Sequence, residues 1–128
     1  MTDFELDLIY RVSRHSRWVW KEGMLGALVT PYTLYAADLK CKRFVSGEDF
    51  SGFAPSIMDP YTVHLIWEEL KSFNLKDYSI VRMHDGSLYK GGFKKGLNKS
   101  VLLYSSSSEG RVALRMWLWW ASKAIKDD

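Results

Sequence analysis

Residues 78–104 read YSIVRMHDGSLYKGGFKKGLNKSVLLY, and this stretch decides the fold. Three runs rich in β-branched and aromatic residues, at 78–83, 88–93 and 100–104, are separated by turn-forming residues. His84-Asp85-Gly86-Ser87 reads as a tight hairpin, with Asp-Gly as the pair that tolerates positive φ at both turn positions. Residues 94–99, with Gly96 and Asn98, form the second turn. Connections this short give an antiparallel meander, because parallel strands need a long crossover.

A three-stranded sheet leaves a face to be buried, and the flanking sequence supplies helices for it. Downstream, Ser106 and Glu109 have capping-box spacing, with Ser108 as a competing cap, and a helix follows over about 111–125. Upstream, Asp59-Pro60 is a helix start, since proline lacks the amide that would go unpaired at the first position. Val63, Ile66, Trp67, Leu70 and Phe73 then follow helical spacing, and Asn74 can end the helix. At the N-terminus Thr2 and Glu5 fit a capping box, and Phe4, Leu8, Ile9, Val12 and Val19 give an apolar face to a helix expected over 3–21, with Gly23 as its stop. Between these lies 24–58. Its 25–35 portion is apolar, 32–44 admits helix or strand, and 46–57 reads as loop. The expected fold class is α+β: one domain over 1–128, a three-stranded antiparallel sheet packed by an N-terminal, a central and a C-terminal helix.

Composition agrees with a folded chain. Hydrophobic residues make up 47% of 128 residues and charged residues 26%, too apolar for disorder. The single cysteine excludes an intramolecular disulfide and a multi-cysteine zinc site. No apolar run is long enough to span a bilayer, and Asp3, Glu5 and Asp7 give the wrong charge for a signal peptide. The expectation is a soluble, cytoplasmic protein without a membrane partner. The net charge of +3 is modest, with its basic residues gathered at Arg11, Arg14, Arg17 and Lys21, at Lys40, Lys42 and Arg43, and at Lys90, Lys94, Lys95 and Lys99.

The catalytic patterns are thin. His15, His64 and His84 have no metal-ligand spacing. Cys41 lies among Lys40, Lys42 and Arg43, which would activate an exposed thiol, but a buried, inert thiol is the default reading. Glu68 and Glu69 point about 100° apart on a helix and read as a solvated face. Gly91 to Gly96 has the first spacing of a phosphate-binding loop, but Leu97 replaces its lysine and a strand follows. The expectation is a chain that is not an enzyme and takes no cofactor and no metal.

The aromatics carry more information. They reach 15%, and Trp117, Leu118, Trp119 and Trp120 stand in a row. At 100° per residue they cannot share one face. Val112, Met116, Trp117, Trp120 and Ala124 fit one stripe with Ala113, which leaves Trp119 and Leu118 beside Arg111 and Arg115 on a second face. Tryptophan with arginine is the composition of an interface hot spot, so Arg111, Arg115, Leu118 and Trp119 are the candidate partner-binding residues. Trp18 and Trp20 pose the same problem on the first helix.

The segments DPYTVHLIWEEL at 59–70 and GRVALRMWLWWAS at 110–122 resemble small phage and prophage proteins of the ABA-sandwich type. Two features depart from that family: Gly110 and Arg111 stand where its closing helix often carries a proline, and 24–57 matches none of it. The resemblance implies a mobile-element origin, a host-cell cytoplasmic location and no catalytic residue. The reading that follows is an accessory protein that binds a host or phage protein, with inhibition of a host defence system as its sharpest form and homodimerisation through the aromatic surplus as a further expectation. The alternative is a small nucleic-acid-binding module using Arg11, Arg14, Arg17 and Lys21 with Lys90, Lys94 and Lys95.

Overall fold

Asp59 and Pro60 begin a helix as their sequence requires. In the computed structural model, which describes residues 3–28, 40–72, 78–96 and 99–126 and the side chains of 7–28, 40–72, 78–96 and 103–122, Asp59 accepts the Thr62 amide at 3.0 Å and Pro60 opens α2 (Pro60–Ser72). The chain divides into two compact units, 1–65 and 66–128, with the boundary inside α2.

In the first unit, α1 (Asp3–Ser13) buries Leu8, Ile9 and Val12, and Asp7 pairs with Arg11 one turn on at 4.0 Å. The proposed Thr2–Glu5 capping box lies outside the described side chains. The helix stops eight residues short of the expected end at Lys21. Ser13 donates its hydroxyl back to the Tyr10 carbonyl at 2.9 Å, and tight turns then carry the chain from Val12 to His15 and from His15 to Trp18. Trp18 becomes buried and Val19, assigned to the apolar face, is exposed.

A sheet follows that the sequence did not assign, although one of its strands falls within 32–44, which admits helix or strand. Its strands are β1 (Leu25–Leu28), β2 (Cys41–Arg43) and β3 (Phe53–Pro55), in the order β2-β1-β3, both pairings antiparallel. β3 lies within the stretch expected to be loop, and α1 packs against it. Asp59 locks the unit together. Its carboxylate takes two bonds from the Arg43 guanidinium, at 2.7 and 3.0 Å, and one from the Thr62 hydroxyl at 2.7 Å. The Thr62 hydroxyl oxygen in turn accepts the Leu25 amide at 2.8 Å, and Arg43 donates to the Gly23 carbonyl at 3.1 Å. One helix cap therefore ties β1, β2 and the start of α2.

In the second unit the expected meander is present as β4 (Tyr78–Asp85), β5 (Leu88–Lys95) and β6 (Lys99–Ser106), in that order and antiparallel. Asp85 pairs with Leu88, so the hairpin loop is Gly86-Ser87, one residue later than the Asp-Gly pair, with Gly86 at φ 61°. The closing helix, α3 (Glu109–Lys126), is capped by Ser108, whose hydroxyl accepts the Arg111 amide at 3.3 Å. Glu109 is not spent on a capping box. It accepts the Trp67 indole at 3.1 Å and Arg82 at 2.5 Å, while the Arg82 guanidinium lies 4.8 Å over the Trp67 ring. The interior closes on Gly91, where an added Cβ would stand 2.7 Å from Met116 Sδ, 2.7 Å from Val112 Cγ1 and 3.1 Å from the Trp67 ring. Of the three helices, then, α3 and the end of α2 cover this sheet, and α1 belongs with β3 of the other.

A candidate binding groove

The tryptophans of α3 divide as helical geometry demands, but both faces are used. Val112 and Met116 face Gly91, and Trp119, next along the same stripe, stacks on the buried Phe93 ring at 4.9 Å and 28°. Trp117, Ala113, Leu114 and Ala121 are buried as well. The expectation that Trp119 and Arg115 lie on a face the interior does not need is corrected: Trp119 lies on the sheet, and the Arg115 guanidinium sits 4.2 Å over the Tyr104 ring. Arg111 and Leu118 are half-buried.

The basic candidates fall into the two units separately. Arg11 is exposed and paired with Asp7, and Arg14 is exposed with its guanidinium 4.3 Å over the Tyr10 ring. Arg17 and Lys21 are half-buried. In the other unit Lys90 pairs with Asp85 at 3.6 Å and Lys95 lies 5.9 Å from the Tyr78 ring centre. Strand alternation puts Lys90 and Lys94 on the face opposite Gly91 and Phe93, beside the exposed Met83 of β4.

Three other readings are settled by position. Cys41 is exposed on β2, contrary to the buried default. Glu68 pairs with Lys71 at 3.3 Å, but Glu69 is buried, so the expected solvated face holds for Glu68 alone. Among the described residues no group of three or more His, Cys, Asp or Glu is placed to hold a metal ion, and no helix is long and apolar enough to cross a membrane.

The first unit carries a groove of about 670 Å³. One side of its lining comes from the end of α1 and the segment after it: Tyr10, Ser13, Arg14, Trp18, Val19 and Trp20. The other comes from the chain after β2 and the start of β3: Phe44, Glu48, Phe50, Ser51, Gly52 and Phe53. The early end of α1 creates it, because a helix continued to Lys21 would turn Trp18 and Trp20 to different sides. Instead the two indoles meet edge to face at 5.6 Å, and Trp20 packs edge to face on Phe50 at 4.7 Å. Phe50 stacks on Phe53 at 4.4 Å and meets Phe44 at 5.2 Å. Gly26 of β1 lets the cluster settle, since a Cβ there would stand 2.4 Å from the Phe50 ring and 3.2 Å from Trp20. Trp18 and Phe50 are buried, whereas Tyr10, Trp20, Phe44 and Phe53 keep part of their surface in water.

Two charges belong to the lining. Arg14 comes from the helical segment, and Glu48 from the other, where its Oε2 accepts the Lys42 ammonium. Nearby, Asp49 Oδ1 accepts the Ser51 amide at 3.0 Å, and that bond holds its carboxyl below the ordinary range. Across the turn, burial and then the charge of Arg17 hold the His15 imidazole below its usual pKa, while His15 Nδ1 accepts the Arg17 amide at 3.1 Å. The sequence reading flagged Trp18, Trp20 and Arg14, and Glu48 only as an adjacent carboxylate pair with Asp49, but not Phe44, Phe50 or Phe53. The signal available for them was a count: more aromatic rings than the helices had positions for.

The chain matches no family model, no curated protein and no solved structure.

Proposed function

We propose that this chain is a non-enzymatic binding protein that holds a protein partner in its aromatic groove. The observation that carries this reading is a groove of about 670 Å³ lined by six aromatic side chains, Tyr10, Trp18, Trp20, Phe44, Phe50 and Phe53. That size and lining are those of a binding cleft, and partly wet Trp and Tyr rings beside an arginine are the composition of an interface anchor. The binding surface thus moves from the closing helix to the first unit. A host or phage protein is the partner class implied by the resemblance of 59–70 and 110–122 to phage accessory proteins, with a host defence protein as its sharpest form.

One observation favours the alternative of nucleic-acid binding: Arg14 lines the groove among rings that offer stacking faces. Glu48 in the same lining and the Asp7 pairing of Arg11 weigh against a polyanion. The test is affinity capture from nuclease-treated lysate with wild type beside Val19→Asp. Val19 is 60% exposed on the groove, so the substitution leaves the interior alone. The expected result is a protein captured by wild type and lost with Val19→Asp at an unchanged melting temperature. Equal capture by both removes the groove reading. Binding that disappears with nuclease, and weakens steeply from low to moderate salt, supports nucleic acid instead.

A further inference from the structure

The groove lining carries one charge of each sign, Arg14 and Glu48. The segment that ends α1 brings Arg14, followed by Arg17 and Lys21, whereas the segment after β2 brings Glu48 and, next to it, Asp49. Both lining charges are positioned by neighbours that leave them capable of a further bond. Arg14 holds its guanidinium 4.3 Å over the Tyr10 ring, a cation–π contact that uses none of its five N–H donors in a conventional hydrogen bond to that ring. Glu48 accepts Lys42 through Oε2, while Oε1 takes no bond among the described residues.

The same lining carries rings, and the partly wet Trp20, Phe44 and Phe53 are available to one more apolar group. Such a surface discriminates by charge as well as by shape. A polyanion meets Glu48 and Asp49, and a polycation meets Arg14. A segment carrying both signs beside an apolar side chain satisfies both charges of the lining. A cleft of this size holds a drug-sized body, which in peptide terms is a few residues.

Resting on the protein-partner reading above, we infer that the groove takes a short peptide segment of its partner in which one bulky apolar side chain stands between a basic and an acidic residue, the base meeting Glu48 and the acid meeting Arg14. The apolar side chain supplies affinity by filling the space over the rings. The two flanking charges set orientation and exclude segments of uniform charge.

The experiment is selection of a displayed random peptide library on the immobilised chain. The consensus peptide is then measured by fluorescence anisotropy on wild type, Arg14→Glu, Glu48→Lys and the conservative Glu48→Gln, each first melted to confirm folding. The expected consensus is an aromatic or large aliphatic residue flanked by one base and one acid. Charge reversal at Arg14 or Glu48 is expected to weaken it by about fivefold or more. Exchanging the peptide's acid for lysine is expected to restore binding to Arg14→Glu while weakening it on wild type, a rescue that a merely structural effect would not give. A consensus without paired charges, or equal affinity across the variants, overturns the inference and leaves the groove reading standing. Recovery of no peptide overturns both, and salt-sensitive binding of a twenty-nucleotide thymidine strand in that case assigns the groove to nucleic acid.

Discussion

Replacing Asp59 by alanine removes more than a helix cap. The carboxylate accepts the Thr62 amide and hydroxyl and both arms of Arg43, so the substitution takes away four hydrogen bonds. Loss of the cap costs about 1 kcal/mol. The arginine pair adds about 0.5 to 1 kcal/mol, because Arg43 is half in water even though the Asp59 side chain is only 10% exposed. The Thr62 hydroxyl, which also accepts from Leu25, loses its own acceptor for about another 0.5 to 1 kcal/mol. The sum is about 2 to 3 kcal/mol, which lowers a urea midpoint by roughly 1 to 2 M at the slope usual for a small protein. Urea titration followed by far-ultraviolet circular dichroism measures it, and a cycle with Arg43→Ala isolates the pair. A loss below about 0.5 kcal/mol, as an ordinary surface substitution gives, refutes the clamp. Acid provides a second readout. The hydrogen bond from Arg43 holds the Asp59 carboxyl below its ordinary range, against an opposing push from burial and with help from Thr62. The folded-state pKa is therefore below the unfolded value of about 3.9. The stability this group contributes is complete above that value and is lost as pH falls through the folded one, so wild type should lose more stability than Asp59→Ala between pH 4 and lower pH.

Three further substitutions test the packing. Gly91→Ala places a methyl 2.7 Å from both Met116 Sδ and Val112 Cγ1, and should cost about 1 to 3 kcal/mol by overpacking, read as a lower melting temperature. Trp119→Ala removes the ring stacked on Phe93 and should destabilise by about 3 kcal/mol in a urea titration; a variant that melts like wild type would return Trp119 to the surface. Gly26→Ala forces Phe50 away from a contact of 2.4 Å while Phe53, Phe44 and Trp20 hold it in place, so it should shift the indole fluorescence of the groove and lower stability by about 1 to 3 kcal/mol.

What could be read in the sequence was whatever a local rule determines. Asp59-Pro60 marked α2 to the residue, and the spacing of Val63, Ile66, Trp67 and Leu70 picked out side chains that are all buried. The meander was legible because short connections leave one topology, although the hairpin loop slid one residue to Gly86-Ser87. The first sheet was not legible, since strands of three and four residues carry too little alternation to register, and β1 pairs with partners far along the chain. Neither was the end of α1: Val19 continues a plausible helical face, whereas in the structure Trp18 turns to pack on Trp20, which in turn packs on Phe44 and Phe50. On α3 the stripe was drawn wrongly: seven residues are nearly two full turns, so Trp119 shares the direction of Val112 and lies with it and Met116 on the side that meets the sheet.

The rings of the groove are also the interior of the first sheet. Phe50 has 4% of its surface exposed and Trp18 has 9%, yet the rings packed directly on them stand partly in water. The first unit is therefore a core left open on one side, and whatever fills the opening completes it. Under the proposed binding role, occupancy of the groove and folding are linked. A ligand at one hundred times its dissociation constant adds about 2.7 kcal/mol to stability, as much as the whole Asp59 clamp. A shift in melting temperature thus reports binding without any label.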